Sequence, residues 1–197
     1  MTDGTNQLLR QLLFAEQLKA TRRKCFVSYY SGDSAEVSIF LRNFGDVFIP
    51  KSIGVGDGDD FINSNDTNYV MGRVREKYLG DSTVTILLIG ACTHSRRYID
   101  WELKASLRQG EYIPNGLLGI VLPYLGGSSH LPPRFKDNWE ADQACYAAYH
   151  PYPTSKEQLR NWIEIAYARR TAHAHLIKNG QEMHKYSRAC VVHKETH

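Results

Sequence analysis

Ser82–Pro123, STVTILLIGACTHSRRYIDWELKASLRQGEYIPNGLLGIVLP, decides the fold. It reads as apolar strand, polar loop, helix, loop and second apolar strand. Thr83–Ile89, TVTILLI, and Leu117–Leu122, LLGIVL, are nearly continuous apolar runs, the pattern of strands covered on both faces of a parallel sheet. Between them, Ile99, Leu103 and Leu107 fall on one helical stripe. Glu102 stands one residue off that stripe, with Tyr98 its i, i+4 neighbour and Trp101 beside both.

Upstream, Lys24–Tyr30, KCFVSYY, is a β-rich run that ends at the turn signal Ser31-Gly32-Asp33. Asp33 is expected to cap the next helix, with Glu36 completing a capping box. Val37, Phe40, Leu41 and Phe44 give that helix its apolar face, and Gly45 ends it. Asp46–Pro50 is a second short strand. The 51–65 loop follows, rich in Gly, Asp and Asn; its Asp57, Asp59 and Asp60 lack the alternation of a calcium loop. Thr67–Leu79 is a helix with Val70, Val74 and Tyr78 inward, closed by Gly80.

Downstream, residues 123–140 form a Pro/Gly/Ser-rich loop, and Ala144–Tyr149 a weaker strand toward an edge. Thr154 and Glu157 are expected to box the start of a helix that buries Leu159, Trp162, Ile163 and Ala166. The organisation is an N-terminal helical extension over 1–23, amphipathic across 5–20, a domain over 24–170, and a polar, His-rich tail over 171–197. Strands alternating with helices predict an α/β fold, a parallel five-stranded sheet with helices on both faces. Right-handed crossovers make the flavodoxin-like order 2-1-3-4-5 the simplest topology. Such a sheet binds ligands at the carboxyl ends of its strands, near the switch between strands 1 and 3. Here those ends are Tyr29–Asp33 and Gly90–Glu102.

Composition excludes several classes. A net charge of +3 over 197 residues, with no dense basic stripe, argues against a nucleic-acid binder. No apolar run reaches membrane-spanning length, and Arg10, Glu16 and Lys19 interrupt the N-terminal apolar stretch as no signal peptide would allow. Arg22-Arg23-Lys24 is expected to be a solvated lead-in. Cys25, Cys92, Cys145 and Cys190 show no C-x-x-C spacing and read as free, mostly buried thiols of a reducing, cytoplasmic compartment. No metal is expected; His173, His175 and His184 read as surface residues of the tail. The G-x-G-x-x-G, G-x-x-x-x-G-K-[ST] and G-x-S-x-G patterns are all absent. The Tyr30–Asp33 turn can serve as a helix cap or can offer backbone N–H groups to a phosphate. From the residues alone, the favoured reading of Glu102 is a plain exposed glutamate paired with Arg97, Lys104 or Arg108.

A resemblance sharpens this. FVSYYSGD is similar to the first strand and loop of TIR domains, and Thr83–Pro123 resembles their third strand, the following helix and the fourth strand. An aromatic residue, three residues and a catalytic glutamate are matched here by Tyr98-Ile99-Asp100-Trp101-Glu102, with Tyr98 where the family usually has tryptophan. The Leu-Ile-Gly strand end and the Arg-Arg-aromatic run most resemble the TIR-like proteins of bacterial antiphage defence, including the Thoeris type. The loop after strand 2 lacks the arginine-aspartate and proline-glycine pattern of receptor TIR domains.

The resemblance implies a hydrolase that cleaves NAD+ at the nicotinamide–ribose bond. It would yield ADP-ribose or a cyclic isomer that reaches an effector as a diffusible nucleotide. NAD+ is then the substrate, and no cofactor is required. Glu102 is implied as catalytic, and Ser28, Tyr30, Ser31, Asp33, Ser95, Tyr98 and Trp101 as substrate-binding, with the 51–65 loop as cover. A homo-oligomer is compatible with this. Two other readings stand beside it: a non-enzymatic TIR-like scaffold or nucleotide sensor, and a nucleoside N-glycosidase of the deoxyribosyltransferase kind.

Overall fold

Among the described residues, five parallel strands form one sheet in the order β2-β1-β3-β4-β5. They are β1 (Lys24–Ser28), β2 (Ile49–Lys51), β3 (Val84–Ile89), β4 (Gly116–Val121) and β5 (Ala148–His150). The computed structural model describes residues 22–51, 64, 66–127, 129–140 and 144–194. The helix expected over 5–20, and nearly all of the 51–65 loop with its acidic cluster, lie outside the described residues. β3 and β4 are buried along their whole length, as their unbroken apolar runs require.

Helices cover both faces. On one, α1 (Ser34–Phe44) and α5 (Lys156–Ala172) pack Val37, Phe40, Leu159 and Ile163 onto Cys25, Val27, Ile86 and Ile120. α5 approaches β4 so closely that a Cβ on Gly116 would lie 2.0 Å from the Ala166 carbonyl oxygen, so only glycine fits there. On the other face lie α2 (Thr67–Val74), α3 (Arg97–Ser106) and α4 (Pro133–Asp137). α2 runs on into a π-type turn over Arg75–Leu79, which ends at Gly80 with φ 51°. The first crossover puts α1 on one face and the second puts α2 on the other. The switch point therefore falls between β1 and β3.

Several local expectations are corrected. Asp33 occupies the position before α1, but its side chain makes no cap hydrogen bond; it turns inward instead. The box at α5 is shifted by one residue: Ser155 Oγ accepts from Gln158 N, and Gln158 Oε1 accepts from Thr154 N and Oγ1. The 123–140 stretch contains α4, opened by Pro133 at its first position. The basic lead-in is not simply solvated. Arg23 makes two hydrogen bonds to Glu164 and stacks 3.7 Å from the Tyr167 ring, while Arg22 donates to Phe48 O and Lys24 to Asp81.

The largest difference lies after α5. Residues 177–194 run as an irregular strap across the outer side of α3. Asn179 donates to Lys104 O, Ser187 Oγ accepts from Arg97 N, and Arg188 N donates to Ser95 O. The free-thiol reading holds for Cys25 and Cys145 but fails for the other pair: Cys92 and Cys190 are joined in a disulfide that pins the strap to the loop after β3.

Candidate functional site

Period two along β1 puts Phe26 and Ser28 on the same face of the sheet, the face that α3 covers. α3 is buried from Ile99 to Ser106 because it has three covered sides rather than one. Ile99, Leu103 and Leu107 pack on Leu87, Ile89 and Leu117. Trp101 and Ala105 pack with Phe26, Val70, Val74 and Leu79. Asp100 and Lys104, one turn apart, meet the strap.

Glu102 lies on the side shared with Trp101 and Ala105, at the level of the last residue of β1. It is 1% exposed, more deeply buried than its place beside the apolar stripe suggested. Ser28 Oγ donates to Glu102 Oε2 at 2.6 Å. The carboxylate is also felt by Tyr29, whose hydroxyl pKa is raised by burial and, secondarily, by the charge of Glu102.

At the same end of the sheet, the loops that follow β1, β3 and β4 converge. Asp33, buried after β1, accepts a hydrogen bond of 2.7 Å from the Tyr124 hydroxyl, beyond β4. Tyr124 in turn accepts from Ala91 N, just after β3. One phenol thus joins all three strand ends. Gly90 makes this possible, since a Cβ there would stand 2.1 Å from Asp33 Oδ2. Burial holds the Asp33 carboxyl above its usual range, partly offset by the Tyr124 hydrogen bond. Burial, with the neighbouring Asp33 charge, pushes Tyr124 up to about 12. The Arg96 guanidinium lies 4.0 Å from the centre of the Tyr30 ring, giving the rim a cation over an aromatic face.

The residues singled out from sequence separate into groups. Ser28 and Glu102 meet at the end of β1; Tyr30 and Asp33 lie in the turn that follows β1, Tyr30 against Arg96 and Asp33 against Tyr124. Ser31 is exposed in the 3-10 turn that follows β1. Tyr98 is half-buried at the edge of the Trp101 cluster, its ring edge-on to Trp101 at 5.6 Å, and its hydroxyl accepts from Arg97. Trp101 is a core residue, its Nε1 donating to His184 O. Ser95 is wholly buried, its hydroxyl donating to Cys92 O. Tyr124 is not among the residues the sequence points to, and Arg96 enters there only as part of the Arg-Arg-aromatic run. A tyrosine immediately after the Pro that stops the fourth strand was the available signal for Tyr124, since that position must lie at the ligand rim.

A second polar cluster occupies the strap side of α3. Arg134, wholly buried on α4, donates from Nε to Asp100 Oδ1 at 2.8 Å and from Nη2 to Oδ2 at 3.3 Å. It also donates to Asn179 Oδ1 and to the carbonyls of Gln181 and Glu182, while His184 N donates to Asp100 Oδ2.

Residues 26–126 match the family model described as Thoeris protein ThsB, TIR-like domain, just over half of the chain. The matched span runs from β1 to the turn that follows β4 and so contains Ser28, Asp33, Glu102 and Tyr124. No match was found among curated proteins.

Proposed function

The chain belongs to the TIR-like domain family of Thoeris protein ThsB, and from that premise we propose that it cleaves the nicotinamide–ribose bond of NAD+, with Glu102 as the catalytic carboxylate. Its flavodoxin-like sheet is the fold of that family, and family membership supports a TIR-type role in defence. The observation that carries the enzymatic reading is a carboxylate on α3, 1% exposed at the carboxyl end of β1 and oriented by Ser28 at 2.6 Å.

The chemistry needs little more than such a group. Nicotinamide in NAD+ is already cationic, so the bonding pair leaves with the ring and no proton donor is required. The ribose then carries oxocarbenium character, as in glycoside hydrolysis. A fixed carboxylate stabilises that charge more strongly in a water-poor site than in solution. Water adding at the same carbon releases ADP-ribose and a proton. A nucleophile from the same molecule adding there instead gives a cyclic isomer, which acts as the diffusible signal. Ser28 is a positioning residue that holds Oε2. Tyr98 borders the ribose, and Arg96 on Tyr30 supplies the positive charge that a pyrophosphate requires. Because Glu102 is sealed in this arrangement, substrate entry displaces the groups that cover it.

The test is release of nicotinamide from NAD+ by the purified protein, with and without lysate from phage-infected cells, beside Glu102→Gln. The variant is isosteric and keeps an oxygen to accept from Ser28. Turnover by the variant at the wild-type rate sinks the assignment, and faster cleavage of free nucleosides than of NAD+ moves the protein to another substrate class. Product chromatography separates the linear from the cyclic outcome.

A further inference from the structure

Away from Glu102, the strap and the loop after β3 bring three metal-ligating side chains together. The sulfurs of Cys92 and Cys190 and a ring nitrogen of His193 all lie within 4.8 Å of one another, and His193 Nδ1 is 3.3 Å from Cys92 Sγ. Both cysteines are buried, while His193 is exposed. Cys190 and His193 stand in C-x-x-H spacing. A tight turn folds the histidine back onto the sulfurs: Lys194 N donates to Cys190 O at 2.7 Å, with Lys194 at φ 57°. A disulfide alone requires neither the histidine nor this turn.

We propose that, in the reduced protein, Cys92, Cys190 and His193 bind a zinc ion, and that metal and disulfide are alternative clasps for the same strap. Two thiolates and an imidazole are a ligand set that zinc favours, and water completes four-coordination. The interconversion balances. A cellular thiol reductant gives two electrons and two protons to the Cys92–Cys190 bond and is itself oxidised to a disulfide. Zinc then displaces both thiol protons on binding. In reverse, a small disulfide oxidant takes two electrons from the sulfurs, the S–S bond re-forms and the ion is released. Either clasp fastens residues 177–194 to the end of β3, ten residues before Glu102.

The proposal does not depend on NAD+ cleavage, and its test reads metal and thiols only. Full-length protein purified from a reducing cytoplasm is treated with an alkylating agent after exposure to a chelator alone or to a reductant alone. The expected result is that the chelator alone makes Cys92 and Cys190 reactive. Reduced, metal-free protein is then titrated with Zn2+ against a chromophoric chelator. One equivalent is expected to bind, and affinity is expected to fall by at least about tenfold in His193→Ala, since even groups outside the ligand shell act on that scale. His193 is exposed, so this variant keeps its fold; Cys190→Ser is the companion. Thiols that respond to reductant but not to chelator, or reduced protein that binds no zinc, overturn the proposal.

Discussion

Asp100 and Glu102 are two carboxylates on one helix, two residues apart, and both are at most 2% exposed. Their settings differ. Asp100 faces the strap, where the Arg134 guanidinium grips both oxygens and His184 N adds a third donor. Glu102 faces the end of β1, where a serine hydroxyl reaches Oε2. A buried carboxylate gripped by a guanidinium is committed to structure, because either partner left alone is a buried charge. A buried carboxylate at a strand end, where such sheets bind ligands, can be recruited for chemistry. Sequence spacing makes the two nearly equivalent; the side of the helix on which each falls separates them.

The sharpest way to break this contrast is to remove the cation. Arg134→Ala is expected to destabilise the fold by about 3–5 kcal/mol, since it strands Asp100. It also frees the carbonyls of Gln181 and Glu182, so denaturant unfolding should show the loss and limited proteolysis should find the strap accessible. Glu102→Gln should do the opposite. Nicotinamide release should fall roughly 10²–10³-fold, the scale of losing one electrostatic stabiliser, with the unfolding midpoint nearly unchanged. If Glu102→Gln unfolds the protein as Arg134→Ala does, the contrast fails.

Smaller changes sharpen it. Ser28→Ala should lower kcat by about tenfold with little change in KM, because one hydrogen bond to a charged group is worth roughly 1.5 kcal/mol; Ser28→Thr should restore part of the rate. Asp33 provides a pH test with a defined sign. Its carboxyl pKa is higher folded than unfolded, so its contribution to stability is full at acid pH and is lost as pH rises through the folded value. Asp33→Asn should therefore raise the melting temperature at neutral pH, and the gain should vanish in acid. A gain that does not depend on pH would show that burial of the charge is not the cause.

Much of the fold was legible because it follows local periodicity. The apolar runs of β3 and β4 and the 3.6-residue stripes of α1, α2, α3 and α5 each identify a buried surface without reference to distant residues. Alternation of the elements, with right-handed crossovers, left few sheet orders, and the flavodoxin-like one is observed. Ser28, Asp33 and Glu102 were legible as residues at strand ends. Their partners were not. The local pattern favours Asp33 as a cap, yet Tyr124, 91 residues away, takes its carboxylate. Trp101 and Ser95 lie at the right place in the chain for a rim, but α2 and the strap cover them.

What the amino-acid order determined by itself was the alternation of buried strands and helices, and with it the end of the sheet at which Glu102 stands. The tertiary structure alone decided that α3 would be buried from Ile99 to Ser106. It also decided that Cys92 would meet Cys190 across 98 residues, and that of two neighbouring carboxylates one would be gripped by Arg134 and the other oriented by Ser28. The physical reason is the range of the forces. Hydrophobic periodicity acts within a few turns of chain, so it can be read in sequence. A buried charge or thiol takes its partner from whatever segment the closed fold brings alongside, and the polar, aperiodic strap carries no local signal of where it will lie.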